Sequence, residues 1–127
     1  MQELSTQDVL GVWEIGKYQT LPERALTLLA AYCPEMSSQE LERMNIGARD
    51  ALLLRLREVL FGSHFVGLTT CPRCCTSLEI EFNSSEVRAH EPTVDTFKLS
   101  FEGYEFTCRL PNSSDLLALV PGEDLNS

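Results

Sequence analysis

The spacing of the apolar residues changes once along this chain, near Gly62, and that change restricts the fold to helices followed by strands. Over 46–61, Leu52, Leu53, Leu56, Val59 and Leu60 recur at intervals of three and four, the stripe of a helix. Arg49, Arg55, Arg57 and Glu58 take much of the remaining surface, Asn45 is a good N-cap, and Gly62 stands where a left-handed C-terminal residue belongs. Beyond Gly62 the interval falls to two. Leu78, Ile80 and Phe82 alternate with Ser77, Glu79 and Glu81, and Phe97, Leu99 and Phe101 alternate with Thr96, Lys98 and Ser100. Tyr104, Phe106, Cys108 and Leu110 repeat the pattern, and Glu102-Gly103 between the last two runs predicts a tight hairpin.

Upstream, three shorter helices are marked by their starts. Ser5 or Thr6 caps a helix on which Val9, Leu10 and Trp13 share a face and which Gly16 ends. Thr20-Leu21-Pro22-Glu23 has capping-box spacing with Pro in the first turn, where a missing N–H costs nothing. Ala25, Leu28, Leu29 and Tyr32 follow at helical spacing up to Pro34, and Ser37 to Glu40 opens another short helix carrying Leu41 and Met44. The segment 83–95 reads as a polar loop with a helical turn, and 111–114 caps a short helix over 115–120. The expected fold is α+β: an N-terminal helical bundle (1–62), then a small antiparallel β unit with a zinc-ribbon-like knuckle packed on it (63–110). A short C-terminal helix and frayed tail (111–127) complete it.

Charge narrows the function. Nineteen acidic residues against ten basic ones give a net charge of −9, and the basic side chains at 17, 24, 43, 49, 55 and 57 are scattered among acids. Such a field repels a polyanion, so no nucleic-acid partner is expected. No run approaches the roughly 20 apolar residues that cross a bilayer, and the first eight residues lack the basic cluster of a secretory signal. Five cysteines, three of them within 71–75, suit a reducing compartment better than a disulfide framework, so a cytoplasmic location is expected.

Cys71-Pro72-Arg73-Cys74 is the motif with chemistry in it. Two thiolates three residues apart on a turn between strands can both reach one zinc ion at about 2.3 Å. A structural zinc needs four ligands. The others would come from Cys33, Cys75, Cys108, His64 or His90, from a second copy in a dimer, or from a partner. The plain alternative is a zinc-ribbon-like turn without metal, its cysteines acting as small hydrophobes. Redox exchange is the weaker reading, because the residues after the motif alternate as a strand and no helix N-terminus depresses the thiol pKa. Cys33 and Cys108 read as packing residues, His64 and His90 stand alone, and Ser84-Ser85 and Ser113-Ser114 read as caps or turns. Glu79 and Glu81 share one face of their strand, more simply a solvated face than an acid–base pair, so no enzyme activity is expected.

Several segments in order carry a resemblance: Trp13-Glu14 with Gly16, 24–26 and 28–31, Cys33-Pro34-Glu35, Ile46-Gly47 with 49–53, Leu56-Arg57 and Phe61-Gly62. The knuckle running into Leu78-Glu79, then 110–113 and Asp115-Leu116, continue it. Together these are similar to the T-even-phage-type baseplate hub assembly chaperone family, found also in phage-tail-like contractile injection systems. The resemblance implies a non-enzymatic factor that holds baseplate hub or other tail proteins during assembly. A permanent structural subunit of the baseplate is the first alternative, and a small cytosolic zinc-binding or thiol redox module the second. The exposed side of the 46–61 helix, with Arg49, Asp50 and Arg57, and the knuckle with its hairpin are the expected contact surfaces. Cys75 stands where such knuckles usually have Gly, and relatives continue with more helix past Leu125, which implies a shortened member.

Overall fold

The helices of the N-terminal half begin where short polar side chains take up N–H groups that a helix leaves unbonded. In the computed structural model, which describes residues 1–88 and 94–119, α1 (Thr6–Gly16) is capped by Ser5 and α3 (Ser38–Arg43) by Ser37. In both cases the carboxylate three residues on, Asp8 or Glu40, accepts from the cap's own N–H. In α2 (Leu21–Tyr32) the Glu23 carboxylate accepts from the N–H and the hydroxyl of Thr20. The Asn45 side chain receives the Ala48 N–H at 2.8 Å and opens α4 (Ile46–Phe61), and Gly62 leaves that helix at φ +82°, a conformation glycine adopts without strain.

Helix α2 is the centre of the packing, touching α1, α3, α4 and the C-terminal α6 (Ser113–Ala118). Leu29, Tyr32, Cys33, Leu41 and Leu56 form the buried cluster, with Leu26, Leu28, Met44, Leu52, Leu53 and Leu60 packed around it. A fully buried leucine contributes about 1.5–3 kcal/mol, so Leu29, Leu41 and Leu56 form the main apolar anchor. The predicted α4 stripe is confirmed at Leu52, Leu53, Leu56 and Leu60, but Val59 is 58% exposed. That part of the helix faces away from α2, and no other described element covers it.

The α+β class is as expected, but the β half consists of two separate two-stranded sheets instead of one unit. The first pairs β1 (His64–Thr70) with β2 (Ser77–Asn83), and a single turn, α5 (Ser84–Val87), follows β2. The second pairs β3 (Thr96–Phe101) with β4 (Tyr104–Arg109), in register from Thr96↔Arg109 to Phe101↔Tyr104. The expected turn is present: Glu102 and Gly103 have φ of +49° and +81°, the two positive values of a type I′ hairpin.

Both hairpins are tethered at their bases. Arg57 lies over the Phe65 ring at 3.9 Å, and Arg88 meets Glu58 at 2.6 Å, fixing the first hairpin to α4. Asn45 donates to the Asp95 carboxylate at 2.7 Å and Ile46 N–H to Pro111 carbonyl at 3.0 Å, fixing the second at the start of the same helix. Away from these bases the strand side chains are largely exposed, so the predicted half-buried strands are bare on both faces. The helix read at 115–120 begins two residues earlier, with Asn112 as its cap. It ends at Ala118, with Leu119 as its C-cap, while position 120, the tail and His90 lie outside the described residues.

Candidate functional site

Alternation in the second hairpin sorts side chains cleanly. The register places Phe97 opposite Cys108, Leu99 opposite Phe106 and Phe101 opposite Tyr104, all on one face. Thr96, Lys98, Ser100, Glu105, Thr107 and Arg109 form the other. The apolar face is not covered by the chain: Phe101 is 66% exposed, Tyr104 69% and Leu99 51%. A two-stranded hairpin is marginal in water by itself, and a contiguous apolar face of this kind marks a surface that binds protein.

A second apolar surface lies among the helices. Val9, Val12 and Trp13 of α1, Leu28 of α2, and Leu60 and Phe61 of α4 line a groove of about 480 Å³. Lys17 and Arg24 stand at its rim, and Arg24 Nε donates to the Gly16 carbonyl at 2.7 Å. Of the apolar face expected on α1, Val9 and Trp13 open on this groove, whereas Leu10 does not line it and is exposed.

The cysteine knuckle occupies the tip of the first hairpin, beyond the Thr70–Ser77 pair. Cys71 N–H donates to the Thr76 carbonyl and Cys75 N–H to the Cys71 carbonyl, both at 2.9 Å, which closes a tight turn. Cys75 takes φ +57°, the left-handed conformation for which such turns usually use Gly. The Cys74 sulfur and the Thr76 hydroxyl are 3.2 Å apart. Hydrogen bonds from the Thr76 side chain and backbone, and then from the Cys71 thiol, hold the Cys74 thiol below its ordinary range. By contrast, burial first and the Glu35 charge second push the Cys33 thiol up. The motif runs directly into strand β2.

Among the described residues, no group of three or more His, Cys, Asp or Glu side chains is placed to hold a metal. Cys33 is in the helical core, Cys108 is on the other hairpin, and His64 is at the far end of β1, 3.9 Å from Glu81. The two knuckle cysteines fall short of the four ligands a structural zinc needs, and the rest of the described chain brings no further candidate beside them.

The three residues expected at a contact surface have different surroundings. Arg49 is only 8% exposed; its Nε and Nη2 donate to Asp50 at 2.9 and 2.7 Å, and its Nη1 to the buried Ser113 hydroxyl at 3.3 Å. It ties α4 to α6. Arg57 donates to the Gly62 carbonyl and lies between the Phe61 and Phe65 rings, joining α4 to the first hairpin. Asp50 is exposed. The bare hairpin face, which alternation alone presents as half-buried, carries a stronger contact signal than these polar residues.

A helical body that presents an uncovered apolar hairpin and an apolar groove has the construction of a component that completes itself against other proteins. The chain belongs to the family of T4 bacteriophage base plate proteins, whose family model matches residues 7–125. It therefore has a role in a phage baseplate, among other tail proteins. No curated protein and no solved structure matches it. Among the described residues no helix is long and apolar enough to cross a membrane.

Proposed function

We propose that this chain is a non-enzymatic assembly chaperone for the baseplate hub of a contractile phage tail or a phage-tail-like injection system, acting in the cytoplasm. It holds a hub or tail component by protein–protein contact until the next subunit arrives. The observation that supports binding as its work is the apolar face of the second hairpin, where Leu99, Phe101, Tyr104 and Phe106 are all exposed on one side. A factor that leaves after assembly and a subunit that stays would both bind through such a face, so stoichiometry separates them.

The test is capture of tail components by the tagged chain from phage-producing cells, with quantitative mass spectrometry of the captured proteins and of finished particles. Hub components in the capture and no chain in the particles is the expected result. A stoichiometric amount in the particles would make it a permanent subunit, and capture without any tail component would overturn both.

A further inference from the structure

We propose that Cys71 and Cys74 are one half of an intermolecular tetrathiolate zinc site, closed tip to tip by a second copy of this chain. The closed turn that joins β1 to β2 brings Cys71 and Cys74 near each other. In a tetrahedral site with zinc–sulfur bonds of about 2.3 Å, adjacent sulfurs are about 3.8 Å apart, a span that two cysteines three residues apart on one tight turn can subtend. The backbone is set for it as well. The two 2.9 Å hydrogen bonds that close the turn, and Cys75 at φ +57°, keep the knuckle shape although a cysteine stands in the glycine position. A side chain in the left-handed region costs on the order of 1 kcal/mol, and the turn retains it.

The other edge cannot come from the described part of the same chain. Cys33 is buried among helices, and Cys108 belongs to the second hairpin. His64 is seven residues before Cys71, at the far end of β1, roughly 23 Å away at the rise of a strand. Access and charge both favour a second copy. Cys74 and Cys75 are exposed, and the ties from the hairpin to α4, through Arg57–Phe65 and Arg88–Glu58, are at its base. Two chains of net charge −9 repel, yet the tip of the hairpin, residues 69–78, includes Arg73 and no Asp or Glu; Glu79 follows one rung further back, opposite Leu68. The tip is therefore where two such molecules can meet without opposing carboxylates. Closing the site exchanges four thiol protons for one Zn²⁺ and leaves a net charge of about −2, which the two Arg73 side chains offset. A two-fold axis through the metal makes the contact self-complementary.

The experiment uses the full, untagged chain, metal-free and reduced, titrated with Zn²⁺ and followed by native mass spectrometry and sedimentation velocity. Co²⁺ serves as a second probe through its thiolate charge-transfer absorption. The expected endpoint is half a metal ion per chain, with a doubled mass that reverts in chelator. Cys71→Ser and Cys74→Ser should each abolish the cobalt absorption and the dimer, while Cys75→Gly keeps both. Circular dichroism of each variant confirms that the helical body is intact. One metal per monomeric chain, no metal bound at micromolar concentration, or a dimer that persists in chelator would each overturn the proposal.

Discussion

Arg49 brings a full charge into the interior of a small protein, and three of its donors find oxygen there. A buried charge is tolerated only when it is paired and hydrogen-bonded, and removing it leaves its partner's polar group unsatisfied. That partner is the Ser113 hydroxyl, which is fully buried at the start of α6. Arg49→Met keeps the bulk of the side chain and deletes the guanidinium. It should lower stability by about 1–3 kcal/mol, the cost of leaving a buried polar group unpaired. Urea unfolding followed by circular dichroism measures it, and Arg49→Met together with Ser113→Ala should recover part of the loss. An unchanged midpoint in the single variant would return Arg49 to the role of a contact residue.

At the scale of elements, the helices could be read closely because their starts depend on local chemistry. Ser5, Thr20, Ser37, Asn45 and Asn112 all cap the helices they precede, and Pro22 stands in a first turn as its missing N–H allows. The strand β1 was not legible in the same way. In His64-Phe65-Val66-Gly67-Leu68 both faces carry apolar residues, so no alternation stands out. Exposure was not legible either, since alternation reports which side chains share a face and not whether anything covers it. The metal-site reading had the same limit: spacing brought Cys71 and Cys74 together, but only the fold shows that Cys33, Cys108 and His64 are elsewhere. The hairpin turn offers a test of local chemistry. Glu102 has φ +49° in the first central position of a type I′ turn, where Asn is preferred. Glu102→Asn should stabilise the second hairpin by roughly 0.5–1 kcal/mol by relieving left-handed strain. Hydrogen exchange should then slow about two- to fivefold at the β3 and β4 amides alone, and equal or faster exchange there would contradict the turn assignment.

For the whole molecule, charge and apolar surface act against each other. The chain leaves Leu99, Phe101, Tyr104 and Phe106 facing solvent, which favours self-association, and its net charge of −9 keeps copies apart. The balance holds only while the carboxylates are ionised. Near the sequence pI of about 4.6 the repulsion vanishes, and the bare hairpin face should drive copies together. Light scattering of the wild-type chain should therefore rise steeply as pH falls toward that value. The variant carrying both Leu99→Ser and Phe106→Ser should remain clear at several times the concentration, while its helical circular dichroism at neutral pH is unchanged, because neither residue belongs to the buried helical cluster. If the variant scatters as strongly as the wild type, the sticky surface is elsewhere, and the α1 groove with Trp13 becomes the next to alter. If the variant stays soluble and also fails to capture tail components at neutral pH, the surface that limits the free protein's solubility is the one it uses to bind. That coincidence is what a docking face requires, since the apolar side chains that make partner contact favourable are the same ones that water does not tolerate when the partner is absent.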